Sequence, residues 1–292
     1  MSRIEKALEK ALEIRDSIKE ATAEEAPAPR TIVCTGVEIG EGLVNPDKVD
    51  MHIVCVKDPC SAVAEQYKKL RARILKATAK DFQNTIMVTS PDMSEGKTVT
   101  AINLAVAIAN EVDYTVLLVD ADLKHPSVHK YLGIEPEYGL SDYLMGNAKL
   151  QDILIKTGIG KLVFLPAGKS PENTSESLSS ERMKRLVQEL KHRHKDRYII
   201  FDSSPILVTA DSIPLSGYMD GILFVVQAAR TTPKTVSRAI SLISGSNILG
   251  VVFNNVPKDL AKNLYPYYHL YGNEGYYKKT EKSGEIENSR SN

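Results

Sequence analysis

Six short apolar runs, rich in β-branched residues, punctuate the chain: Thr85 to Thr89, Thr115 to Val119, Leu162 to Leu165, Tyr198 to Phe201, Ile222 to Val226 and Ile248 to Phe253. Runs this short, with no polar alternation, are what strands covered on both faces require. Between them the period lengthens to that of a helix. Val99, Ile102, Ala105, Val106 and Ala109 keep helical spacing, and Ser61 to Ala79, Glu181 to His192 and Thr232 to Ser244 read the same way. Ser61 stands where a cap belongs, with Glu65 and Gln66 in the early turns. Strands alternating with helices predict an α/β fold with a mostly parallel, doubly wound sheet.

The two ends follow other patterns. In Met1 to Glu20, Ile4, Ala7, Ala11, Ile14 and Ile18 make an apolar stripe that Leu8 and Leu12 widen. The remaining surface balances acid and base, which suits packing on another helix, a partner's or its own domain's, better than adsorption to a membrane. Ala21 to Pro29 reads as a linker. Residues 30–60 carry the weakest pattern, with Thr31 to Val37 and His52 to Val56 as candidate strands. From Tyr265 onward, Tyr265, Tyr267, Tyr268, Tyr271, Tyr276 and Tyr277 crowd a polar tail whose composition packs poorly, so mobility is expected. The expected organisation is a helix and linker over 1–29, a folded domain over 30–264 and a tail over 265–292.

Composition narrows the function classes. With 37 basic and 37 acidic residues in 292, net charge gives no reason to expect nucleic acid as a partner. No apolar run approaches the roughly 18 residues of a membrane span. Any membrane association is therefore expected through a partner. Cys34, Cys55 and Cys60 have no metal-ligand spacing and are expected as free thiols in a reducing cytoplasm.

The chemistry lies at the ends of the apolar runs. Thr85 to Thr89 leads into Ser90 to Thr98, which ends Ser94-Glu95-Gly96-Lys97-Thr98 and then enters the Val99 helix. A strand, a loop and a helix start joined by Gly-Lys-Thr is the setting of a phosphate-binding loop. Gly96 would let the backbone approach phosphate, Lys97 would reach the β/γ oxygens and the Thr98 hydroxyl would hold Mg²⁺. Pro91 stands where the first glycine of the pattern belongs. The next run ends in Asp120-Ala121-Asp122-Leu123-Lys124-His125-Pro126, and Tyr198 to Phe201 ends in Asp202-Ser203-Ser204-Pro205. Carboxylates at carboxyl ends of parallel strands are placed to meet Mg-nucleotide. Asn254 and Asn255 end the last run, where an amide would read a purine edge. No Asn-Lys-x-Asp guanine signature occurs, so ATP is the expected nucleotide.

With these motifs and the tail together, the chain resembles the bacterial tyrosine kinases of exopolysaccharide and capsule synthesis, in the stand-alone form that works with a membrane adaptor. Its opening residues are similar to those of the subgroup linked to exosortase-associated loci. The resemblance implies a P-loop fold of the MinD/ParA class and MgATP-dependent autophosphorylation of the six tail tyrosines between subunits. Ser94, Glu95, Gly96, Lys97, Thr98, Val99 and Asn254 would hold nucleotide, and Thr98, Asp120 and Asp202 would hold Mg²⁺. Lys97, Asp120 and Asp122 would carry catalysis, with Asp122 orienting the phenol and accepting its proton. Glu65, Lys68 and Arg71 match the family's oligomerisation helix, which implies a homo-oligomeric ring. Lysine replaces arginine at Lys68 and Lys124, keeping the charge and losing the planar fork. Two rivals stand beside the kinase: a MinD/ParA-like ATPase switch, and a nucleotide-binding scaffold without catalysis. The switch proteins carry an extra lysine early in the loop, where this chain has Pro91 and Asp92.

Overall fold

The computed structural model describes residues 40–171 and 173–257. The N-terminal amphipathic stretch, the linker, Thr31 to Val37 and the tyrosine-rich tail lie outside the described residues. The seven strands are β1 Thr85–Thr89, β2 Thr115–Asp120, β3 Ile155–Lys156, β4 Leu162–Leu165, β5 Arg197–Asp202, β6 Gly221–Gln227 and β7 Ile248–Asn254. They form one sheet in the order β3-β4-β2-β5-β1-β6-β7, parallel except for the edge strand β3.

Each central strand divides its residues between two cores. Ile86, Val88, Val116, Leu118 and Ile200 face one, and Met87, Leu117, Val119, Ile199 and Phe201 face the other. Neither face meets water, so a continuous apolar run is needed instead of alternation. The Lys97–Ala109 helix lies on the first face, buried on nearly every side. Beyond it packs Ala62–Thr78, whose N-cap Ser61 accepts a hydrogen bond from the Ala64 amide at 3.1 Å. The Glu181–Arg193 helix covers the second face with Met183, Leu186, Val187 and Leu190.

Three local readings change. His52 to Val56 is no strand: Val54–Lys57 is a single helical turn. The Asn103 side chain accepts from the Cys55 amide at 2.9 Å and donates to the His52 carbonyl at 3.0 Å, so these backbone groups have partners without a ladder. The two-residue β3 is too short for any period to announce it. Cys60 is disulfide-bonded, against the expectation of free thiols, because spacing along a chain does not report which sulfurs meet. Cys55 is free and buried, and burial pushes its thiol up to about 12. Among the described residues no helix is long and apolar enough to cross a membrane.

The amino ends of β1 and β6 are tied by Asp220. Its Oδ2 accepts from the Thr85 amide at 3.1 Å and hydroxyl at 2.8 Å, while Lys191 pairs with its Oδ1. Burial works against this carboxylate, but the Lys191 and Thr85 bonds outweigh it and hold its pKa below the usual value. Asp220→Ala should cost about 1–3 kcal/mol at pH 7. A lowered native pKa gives stability that is complete above the unfolded value near 4 and is lost as pH falls through the native one. Chemical denaturation of both proteins from pH 7 to pH 3 should therefore show their gap closing at the acid end.

Candidate active site

The strand order β2-β5-β1 sets three carboxyl ends side by side, and Asp120 and Asp202 are register partners on adjacent strands. From β1 the chain turns through Ser90 to Gly96 and enters the Lys97–Ala109 helix. Ser94 and Gly96 both take positive φ, 61° and 88°, which brings the loop close around the helix start. The left-handed φ favours glycine at position 96, and a Cβ there would lie 2.0 Å from Asn254 Nδ2 and push that side chain aside. Asn254 donates to the Glu95 carbonyl at 2.9 Å. The Glu95 carboxylate is buried and accepts from the Thr231 hydroxyl. Pro91 accepts from the Leu207 amide at 3.1 Å, which fastens the start of the loop to the segment after β5.

Lys97 is the centre of the cluster. Its Nζ lies 2.8 Å from Asp122 Oδ2, 3.7 Å from Asp202 Oδ1 and 3.3 Å from Thr98 Oγ1. The Thr98 hydroxyl donates to Asp202 Oδ2 at 2.7 Å. Asp122 Oδ1 accepts from Ser204 Oγ at 2.9 Å and the His125 amide at 3.2 Å. Asp120 Oδ2 takes the Ser127 and Val128 amides, both at 3.1 Å. Thus the structure brings Lys97, Thr98, Asp120, Asp122 and Asp202 together, with Ser94, Glu95, Gly96 and Val99 along the loop and Asn254 beside Gly96. Ser127, Ser204 and Thr231 also belong to the cluster. Only Ser204 had a signal, its place in the Asp-Ser-Ser-Pro run.

One mostly buried ammonium faces three buried carboxylates. Burial opposes the charge on Lys97, but Asp202 and Asp122 outweigh it and raise its pKa. Burial and then the charge of Asp202 push Asp120 up to about 8, against the opposing effects of Lys97 and the Val128 amide. Burial likewise raises Asp202, although Lys97 and the Thr98 hydroxyl pull it down. The cluster is short of positive charge. Asp202 Oδ1 is buried and accepts no hydrogen bond, a lone pair available to a cation or its water shell. Among the described residues no three carboxylate, imidazole or thiol groups converge as a metal cage. This donor set fits Mg²⁺, which takes few protein ligands and completes its shell with phosphate and water.

The helix proposed for subunit contact divides its charges. Lys68 pairs with Glu65 at 3.3 Å, whereas Arg71 reaches Glu111 at 2.7 Å and the Ala107 carbonyl at 3.2 Å, near the end of the Lys97–Ala109 helix. A cation there is favoured by the helix dipole.

A parallel sheet with a Gly-Lys-Thr loop and carboxylates at adjacent strand ends defines a P-loop nucleotide-binding protein. Residues 86–274 match the CobQ/CobB/MinD/ParA nucleotide binding domain family. The chain is 32% identical over 224 residues to the tyrosine-protein kinase YwqD of Bacillus subtilis, covering 76% of this chain and 92% of that one. It is also 32% identical to the tyrosine-protein kinase etk of Escherichia coli, covering 75% of this chain and 30% of that longer one. Among solved structures, the kinase domain of Escherichia coli ETK superposes with a TM-score of 0.67 at 26% identity, over 80% of this chain and 96% of that one. The chimerical protein CapA2B2 gives 0.66 at 28% identity, over 77% and 96%. The chain belongs to the bacterial tyrosine-protein kinases.

Asp120 makes a pH signature. Its native pKa lies above the unfolded value, so the native state is disfavoured progressively as pH rises from about 4 to about 8. An asparagine carries no such charge. Measured without added nucleotide, the Tm of Asp120→Asn minus that of the unmodified protein should grow from pH 4 to pH 8 and then level off.

Proposed function

We propose that this kinase uses MgATP to phosphorylate the tyrosines of its own C-terminal segment, Tyr265, Tyr267, Tyr268, Tyr271, Tyr276 and Tyr277, mainly between subunits of a homo-oligomer. The observation that carries this reading is the meeting of Lys97, Asp122 and Asp202 within 3.7 Å at the mouth of a phosphate loop, in a chain with six tyrosines near its end.

Lys97 and the loop amides stabilise charge on the transferring phosphoryl group. A triphosphate on the loop competes with Asp122 for the Lys97 ammonium. As Lys97 turns to phosphate, Asp122 Oδ2 gains a free lone pair for the acceptor phenol. Asp122, with its other oxygen held by Ser204, orients that phenol and takes its proton. A phenol pKa near 10 against a carboxylic acid near 4 makes the proton transfer late, so positioning is the main contribution. Thr98 and Asp202 would hold Mg²⁺, with Asp120 alongside. When bound, the ion neutralises and orients the phosphate oxygens. Asn254, fixed against the loop, faces the nucleotide.

Oligomerisation raises the local concentration of tails at neighbouring sites. Each phosphotyrosine then adds about −1.5 to −2 charge, and crowded tails repel one another. Such a cycle suits regulation of exopolysaccharide synthesis or export, with a membrane adaptor of the polysaccharide co-polymerase type bringing the kinase to the inner face of the membrane.

Incubation of the full chain with MgATP, followed by phosphotyrosine mapping by mass spectrometry, should place phosphate within 265–277. The signal should vanish in Lys97→Met and fall at least a hundredfold in Asp122→Asn, a loss of about 3 kcal/mol in transition-state stabilisation. ATP turnover without phosphotyrosine would refute the reading.

A further inference from the structure

The loop that carries Asp122 has an anchor outside the cluster. Two residues beyond Asp122, Lys124 places its Nζ 3.6 Å from Asp211 Oδ2. Asp211 is fully buried, and the same oxygen accepts from the Thr174 hydroxyl at 3.0 Å. Its other oxygen, Oδ1, is buried with no hydrogen-bond partner. Asp211 stands at the N-cap of Ser212–Ser216, yet its side chain makes no cap bond. A turn-forming role therefore does not account for it.

A buried carboxylate is costly unless a cation compensates it. Here the cation comes from the Asp120 to Pro126 loop. Asp211 thus draws that loop down onto two other elements: the segment after β5, and the helix Thr174–Ser179, which Thr174 begins. The Ser204 hydroxyl, bonded to Asp122 Oδ1, belongs to the same segment as Asp211, and Ser212 Oγ donates to the Ser204 carbonyl at 2.5 Å. These three contacts close a ring, Asp122–Ser204–Ser212–Asp211–Lys124, whose backbone links are short. Freeing Lys124 would remove the tie between the Asp122 loop and Asp211, leaving Ser204 as the bond from Asp122 to the segment after β5.

We propose that Asp211 is a positioning residue: by holding Lys124 it fixes the loop that carries Asp122 and so aligns Asp122 with the acceptor phenol. This rests on the reading of Asp122 given above. Lysine offers Asp211 a single point of charge, and the partnerless Oδ1 marks where a second donor fits. A planar guanidinium would reach both oxygens.

The test measures phosphotyrosine formation against ATP concentration with the full chain. Asp211→Asn and Lys124→Gln should each lower kcat roughly tenfold, the scale of a small misplacement of a reacting group, with KM for ATP within about twofold. The double variant should be no worse than the poorer single one. Lys124→Arg should match or exceed the unmodified kcat, and any gain should vanish in the Asp211→Asn background. Lys124 is partly exposed, so Lys124→Gln folds even where Asp211→Asn does not. Unchanged kcat in Lys124→Gln and Asp211→Asn, while Asp122→Asn is inactive, would overturn the proposal alone. So would an equal loss of kcat and ATP affinity. Full activity in Asp122→Asn would overturn the reading beneath it.

Discussion

The site depends on one buried ammonium held among three buried carboxylates. Lys97 lies within hydrogen-bond reach of Asp122 and close to Asp202, and the charge of Asp120, the register partner of Asp202, acts on it as well. Interiors tolerate such groups only when charge is balanced, and here one positive charge cannot balance three negative ones. The raised pKa values of Asp120 and Asp202 are the expression of that deficit. A site built one cation short, beside a loop that curls around a helix start, has a standing affinity for a divalent ion carrying phosphate.

The sheet makes the deficit unavoidable. Parallel strands send their carboxyl ends to one edge, and the order β2-β5-β1 puts the two aspartate-bearing strands and the phosphate loop in adjacent places. Asp120 and Asp202 are partners in register, so neither can withdraw without breaking the ladder. At the opposite edge Asp220 has Thr85 and Lys191 to satisfy it and is held as a carboxylate. The same side chain thus serves stability at one end of β1 and β6, and chemistry at the other end of the neighbouring strands. What distinguishes the two places is the number of counter-charges each provides.

Much of this was legible in the residues. β1, β2, β5 and β6 are buried on both faces, so their apolar runs stood out. Asp120 and Asp202 were conspicuous because each ends such a run. The Gly-Lys-Thr junction was readable because phosphate binding constrains residues that are neighbours in sequence. Ser204, Asp211 and Thr231 were not readable in their roles, since their partners lie far along the chain: 82 residues separate Ser204 from Asp122 and 136 separate Thr231 from Glu95. His52 to Val56 misled for a related reason. Its apolar pattern allowed a strand, and the distant Asn103 amide decided otherwise.

The most direct test is calorimetric titration of ATP into the full chain with and without Mg²⁺, for the unmodified protein and for Asp202→Asn. A site short of positive charge should bind ATP more tightly with Mg²⁺, and removal of the Asp202 charge should erase most of that difference. Equal ATP affinity with and without Mg²⁺ in the unmodified protein would contradict the account.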